Sequence, residues 1–364
     1  MHFGEPTRIL HVEDYFDVGL PEQAKEPRVR FRKKLSTAAL KALRAVGGFT
    51  IAADSARRRN SLLILCYHGI SLADEHRWLP SLYITPQQFR ERLRFLHRSG
   101  ASVLPLDEAL ARLRLGSLPP RSVVLTFDDG FVDYFEHALP ALQEYNFPCT
   151  LYLTTHYCDY RLPIINLGLD YVLWKSRKST VSLPKFGIPE RLPLITFEQR
   201  QVLVKRLLEY ARERGMNTVD KDELAREVAD DIGVNYEAIL NRRLLQIMTP
   251  EEVIETARAG IDIQLHTHRH RVPRELALFR REIEDNRRRI IELTGKTPLH
   301  FCYPSGEYYP EFFGWLDQCG VQSATTCDMA IAQRNSQAMQ IPRMLDDSGM
   351  DLLRFESVVA GLFV

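Results

Sequence analysis

The chain lacks any hydrophobic run long enough to span a bilayer, and its start lacks the apolar core of a secretory signal. The expected location is therefore cytoplasmic, membrane-peripheral at most. Net charge is lacking too. With 48 Lys and Arg against 47 Asp and Glu, the balance is +1, so no global field draws nucleic acid. No CxxC pair occurs among the six cysteines, Cys66, Cys149, Cys158, Cys302, Cys319 and Cys327. Several of them sit inside apolar runs, which favours buried free thiols in a reducing compartment over a disulfide framework. There is no internal repeat and no low-complexity tract. What is present is a soluble globular composition, 45% hydrophobic and 26% charged over 364 residues, enough for one large α/β domain or two ordinary ones.

Residues 1–60 differ from the rest. From Phe31 to Phe49 the spacing predicts a helix with Phe31, Leu35, Ala39, Ala42 and Val46 on one face and Arg32, Lys33, Lys34, Lys41 and Arg44 on the other. Such a basic helix packs on its own domain with a solvated basic face, or lies on an anionic membrane or a lipid-linked glycan.

Beyond residue 60, strands and helices alternate with short connections, the signature of a parallel α/β sheet or barrel. Ser61 to Gly69 reads as a buried strand ending in His68. Thr85-Pro86 caps a helix whose stripe is Phe89, Leu93 and Leu96. Further strands are expected at Ser102–Leu104, Ser122–Leu125, Cys149–Thr154, Ile261–Leu265, Leu299–Pro304 and Gln322–Thr325, with Gln340–Arg343 as a late edge element. Thr249-Pro250-Glu251-Glu252 carries a capping-box spacing. Residues 159–246 interrupt this rhythm and predict a mainly helical insertion, too long and too patterned for a loop.

Three distant strands end in polar clusters: Asp128-Asp129, His266-x-x-x-His270, and Tyr303-Pro304-Ser305-Gly306. Alone, Asp128-Asp129-Gly130 is an ordinary solvated turn, and the histidines are a surface cluster. Together they supply two imidazoles and a carboxylate, a donor set that Zn²⁺ accepts while positions stay open for water and substrate. His268 is expected to point elsewhere.

Thr126-Phe127-Asp128-Asp129-Gly130 and His266-Thr267-x-x-His270 resemble the first two motifs of the polysaccharide deacetylases, the NodB homology group of carbohydrate esterases. Tyr303-Pro304-Ser305-Gly306 resembles the third. The resemblance covers about 61–160 and 247–347 and implies a distorted (β/α)7-type barrel. The domain reading is therefore an N-terminal segment 1–60 and a deacetylase domain 61–364 interrupted at about 159–246. The resemblance further implies a divalent metal, zinc by preference, on Asp129, His266 and His270, with Asp128 as the base that activates metal-bound water. Tyr303 to Gly306 would line the substrate, and a backbone N–H near Tyr303 would help the oxyanion.

The pattern departs from the family in two places. No histidine follows His300 to supply the usual late acid. Leu65-Cys66-Tyr67-His68-Gly69-Ile70 resembles the early Tyr-His motif of the exopolysaccharide branch, which makes His68 the replacement. The usual third-motif arginine is also missing, and Arg343 in Ile341-Pro342-Arg343 is the candidate to orient Asp128. Val12-Glu13-Asp14-Tyr15-Phe16 resembles the acidic strand end of a sister branch and is taken as surface acids.

The expected function is metal-dependent removal of N-acetyl groups from an amino-sugar polysaccharide, oligosaccharide or glycolipid intermediate. The alternatives are a related amidohydrolase on a small non-sugar amide and a non-catalytic glycan-binding homologue.

Overall fold

The computed structural model describes residues 36–362. Val12–Phe16, and Phe31 to Leu35 of the expected basic helix, lie outside the described residues.

Seven strands close into a ring: β1 (Ser61–Tyr67), β2 (Ser122–Phe127), β3 (Thr150–Leu153), β4 (Asp262–Leu265), β5 (His300–Cys302), β6 (Ser323–Met329) and β7 (Ile341–Leu345). Each pairs in parallel with the next in sequence, and β7 returns to pair with β1. This is the (β/α)7 barrel. β1 and β2 are buried along their whole length, because one face lines the ring interior and the other meets helices. That explains why both read as unbroken apolar runs rather than alternating ones. Ser102–Val103 extends β2 outside the ring, and Ala332–Gln333 lies antiparallel to the start of β1.

The surrounding helices are α1 (Pro86–Arg98), α2 (Leu106–Leu115), α3 (Leu139–Glu144), α4 (Pro250–Arg258), α5 (Leu276–Thr294), α6 (Pro310–Gln318) and α7 (Leu352–Val359). Capping boxes at Thr85/Gln88 and Thr249/Glu252 start α1 and α4 where the spacing predicts. Phe89, Leu93 and Leu96 form the buried stripe of α1.

The structure differs from expectation in three places. Ile341–Leu345 is no edge element, since it sits between β6 and β1 and closes the ring. A short strand carrying an arginine reads as an edge, but this arginine is neutralised inside the barrel. The basic helix runs only from Thr37 to Ala45, because Gly47 (φ +75°) and Gly48 break it. Its buried residue is Leu40, while Val46 is exposed, so the Ala42–Val46 face is not the packed one. Finally, the helix expected from His137 to Tyr145 starts as a π-helical turn, Tyr134–Ala138, before continuing as α3.

Residues Leu162–Asn241 form a separate compact unit. It contains helices Ile165–Lys175, Phe197–Glu213, Thr218–Ile232 and Tyr236–Asn241, and an antiparallel pair, Thr180–Leu183 with Ile188–Pro193, that helical periodicity does not reveal. A buried Arg200–Asp170 ion pair at 2.8 Å fastens two of its helices.

Candidate active site

All seven ring strands point the same way, so the residues just past their C-terminal ends gather at one mouth. β2 delivers Asp128 and Asp129. Asp129 has φ +70° and Gly130 φ +88°. A Cβ on Gly130 would lie 2.3 Å from Leu153 Cδ1, so only glycine completes this turn. β4 delivers His266 and then a tight loop in which Thr267 (φ +61°) and His270 (φ +55°) are also left-handed. Non-glycine residues in that region cost on the order of 1–3 kcal/mol each and persist where surrounding bonds over-determine them.

Helix α5 supplies those bonds. Asn286 accepts the His266 N–H at 2.9 Å and donates to Leu153 O and Thr155 Oγ1, both at 2.9 Å. Glu282, equally buried, takes the Arg269 N–H at 2.9 Å and pairs with the Arg269 and Arg271 side chains. Arg271 N–H donates to Thr267 Oγ1 at 3.0 Å. His268 turns away, its Nδ1 2.9 Å from Thr155 Oγ1.

This framework aims three donor atoms at one point. Asp129 Oδ1 lies 3.2 Å from His266 Nε2 and 3.1 Å from His270 Nε2, yet it has no hydrogen-bond partner although buried. His266 Nδ1 faces the Cys302 carbonyl at 2.9 Å. A carbonyl only accepts, so Nδ1 carries the proton and Nε2 presents a lone pair. A lone pair facing a carboxylate oxygen calls for a cation between them, and two imidazoles with one carboxylate fit a divalent ion of the zinc type.

Among the described residues, two other groupings bring ligand atoms together, Cys66–His68–Asp128 and Asp128–His266–Cys302. Asp128 is already neutralised there by Arg343, and burial pushes both thiols well up and keeps them protonated. The Asp129 triad is therefore the metal candidate.

Asp128 sits beside it, buried, and receives two bonds from Arg343: Nη1 to Oδ1 at 2.7 Å and Nη2 to Oδ2 at 2.6 Å. Arg343 itself is held by Thr126 Oγ1 and the Thr326 carbonyl, each at 3.1 Å. The thiols of Cys302 and Cys66 donate to Asp128 Oδ2 at 3.4 and 3.6 Å. Burial works against ionisation of both carboxyls. At Asp128 Arg343 overrides it and holds the carboxyl well below the usual carboxylate range; at Asp129 a bound cation would do the same. His68 Nε2 lies 3.6 Å from Asp128 Oδ2. Burial draws His68 below the ordinary imidazole value, against the pull of Asp128 and Asp129.

The third cluster, Tyr303 to Gly306, follows directly on β5. Tyr303 is buried, its hydroxyl donates to Met339 O at 3.0 Å and its N–H to Thr325 O at 3.2 Å. That N–H belongs to the sheet and does not serve an oxyanion. Pro304 has no N–H, Ser305 is left-handed at φ +56°, and a Cβ on Gly306 would sit 2.9 Å from that of Cys327.

Asn286, Glu282, Cys66 and Cys302 were not among the residues singled out from sequence. The signal for the first two was available. They lie four apart on the buried stripe of Phe279, Ile283 and Ile290, where an unpaired polar group would be costly.

The polysaccharide deacetylase family matches residues 116–324, more than half of the chain, and the chain belongs to that family. A poly-β-1,6-N-acetyl-D-glucosamine N-deacetylase of Staphylococcus epidermidis is 30% identical over 109 residues, 27% of this chain and 38% of that protein. One from Staphylococcus aureus strain MSSA476 is 29% identical over 108 residues, 27% of this chain and 37% of the relative. The chain thus matches little more than a third of the length of these curated relatives. Among solved structures, the Streptococcus pyogenes deacetylase PplD, in complex with acetate, superposes with TM-score 0.54 at 17% identity over 82% of this chain and 96% of that one. IcaB from Ammonifex degensii gives 0.52 at 17%, covering 84% and 97%. At such identities the likeness concerns the barrel fold.

Proposed function

We propose that the chain is a metal-dependent hydrolase that removes N-acetyl groups from an amino-sugar glycan of the exopolysaccharide type, with Asp129, His266 and His270 as the metal ligands. The observation that carries this reading is Asp129 Oδ1, buried without a hydrogen bond between two imidazole Nε2 atoms at 3.1 and 3.2 Å. Held there, a divalent cation, zinc by preference, supplies Lewis acidity that lowers the pKa of water and polarises an amide carbonyl.

The rest falls to the chain's own residues. Water adds to the acetyl carbon, the C–N bond breaks, and acetate and a sugar amine leave. Asp128 takes the proton of the attacking water, and the two hydrogen bonds donated by Arg343 keep its carboxylate in one orientation. His68 Nε2 returns a proton to the departing nitrogen from the neighbouring side of Asp128. Tyr303 to Gly306 form one wall of the mouth, where Ser305 and Gly306, the two that reach solvent, contact the sugar. The free thiols support a reducing compartment, proposed as the cytoplasm or its membrane face.

The test is acetate release from N-acetylglucosamine oligomers, compared with small cyclic amides, in metal-replete protein. Release from the oligomers that stops on chelation and in Asp129→Ala is the expected result. Glycan binding without turnover, or turnover that survives both treatments, would overturn the reading.

A further inference from the structure

The opposite end of the barrel, where the ring strands begin, presents a surface that hydrolysis does not use. Three short helices lead into β1 there: Thr37–Ala45, Gly48–Ala53 and Ala56–Arg59. They are firmly mounted. Arg58 is buried and donates to the carbonyls of Ser61, Ser122 and Val359 at 3.0, 2.9 and 3.0 Å, which fastens it beneath the first residues of β1 and β2. Asp54 accepts two bonds, at 3.0 and 2.9 Å, from Arg121, the residue before β2. Arg44 pairs with Glu356 of α7 at 3.0 Å, and Leu40 is fully buried.

This mount displays large aliphatic side chains to solvent. Val46 is 74% exposed, Ile51 72% and Leu115 75%. Val46 and Ile51 flank the Gly47-Gly48 turn, and Leu115 is the last residue of α2, at the same end of the barrel. Single exposed aliphatics are ordinary. These three are accompanied by exposed Lys41, Arg59, Arg114 and Arg334. Arg334 donates to the Arg114 carbonyl at 3.0 Å, which places it beside Leu115. The nearby acids Asp54 and Glu356 are already engaged by Arg121 and Arg44. A nucleic acid would use the cations and leave the aliphatics in water. An anionic bilayer uses both, the cations at the phosphates and the aliphatics at the acyl boundary.

We propose that this end of the barrel docks on an anionic lipid bilayer, with Val46, Ile51 and Leu115 entering the headgroup region and the lysine and arginine side chains around them meeting lipid phosphates. No helix among the described residues is long and apolar enough to cross a membrane, so the attachment is peripheral. The mouth of the barrel then faces away from the lipid. The inference does not depend on the deacetylase reading.

The experiment is co-sedimentation of the full chain with large vesicles of phosphatidylcholine alone or mixed with phosphatidylglycerol. Binding is expected to the mixed vesicles, to weaken with salt, and to fall about tenfold or more in the combined Val46→Asp, Ile51→Asp, Leu115→Asp variant. Circular dichroism and zinc content are expected to stay as in the parent. If the aspartates disturb folding, the three serine substitutions at the same positions serve the same comparison. Absence of binding to the mixed vesicles overturns the proposal. So does binding that is unchanged in the well-folded variant, since adhesion would then be electrostatic only.

Discussion

Asp128 and Arg343 meet through two parallel bonds, 2.7 and 2.6 Å long, with both side chains out of reach of solvent. A pair of this kind contributes little net stability when intact, but breaking it strands a buried charge. Arg343→Met is expected to cost about 3–5 kcal/mol in urea unfolding and to abolish turnover. Combining it with Asp128→Asn should return much of the stability and none of the activity. A single Arg343→Met variant as stable as the parent would show that the pair is not closed in solution.

Metal dependence is the next expectation. Zinc titration should show one equivalent bound, raising thermal stability, by about 3 kcal/mol when the free ion is at ~100 times its dissociation constant. Asp129→Ala and His266→Ala should each lose both the bound ion and the thermal shift, as read by elemental analysis and calorimetry. An ion retained at full stoichiometry in Asp129→Ala would place the site elsewhere.

Asn286 touches no metal, yet it holds the His266 backbone and the β3 end in register. Asn286→Leu is expected to weaken zinc affinity about 10- to 100-fold while all three ligands remain. Competition with a chromophoric chelator measures this. Unchanged affinity would mean that the strained loop holds its shape without α5.

Asp346 gives a pH signature away from the metal. It pairs with Arg92 at 3.1 Å, and burial pushes its carboxyl from 3.8 up to about 6 against the pull of that arginine. A folded pKa above the unfolded one means the folded state holds the proton more tightly. The associated stability is complete below about 3.8 and is lost as pH rises through about 6. Between pH 5 and pH 7.5 the parent should therefore lose about 1 kcal/mol more than Asp346→Asn. Parallel slopes for the two proteins would show that Asp346 stays ionised throughout.

Much of the barrel was legible because its signals are local. The apolar runs of β1 and β2 and the Thr-Pro caps of α1 and α4 each depend on a few adjacent residues. The Asp129, His266 and His270 cluster could be read from strand ends that share one direction. What escaped depends on contacts distant in sequence. Gln340–Arg343 read as an edge because its place between β6 and β1 is set by strands distant in sequence, although its Arg343 was matched to Asp128. The bond that takes the Tyr303 N–H runs to Thr325 on the next strand and could not be read from Tyr303-Pro304-Ser305-Gly306. In the basic helix, period alone could not choose between the Val46 face and the Leu40 face; the neighbouring α7 decides that.

Because each ring strand neighbours the next in sequence, the ring closes through the pairing of β7 with β1, its last and first strands in the chain. On the ribosome, the metal ligands at 129, 266 and 270 emerge well before β7. Asp128 must wait for Arg343, carried by the last strand to emerge. A nascent chain stalled before Ile341 would hold an open, partly assembled sheet with a carboxylate lacking its counter-charge. Protease resistance of the barrel should therefore appear abruptly, once the last strand clears the exit tunnel.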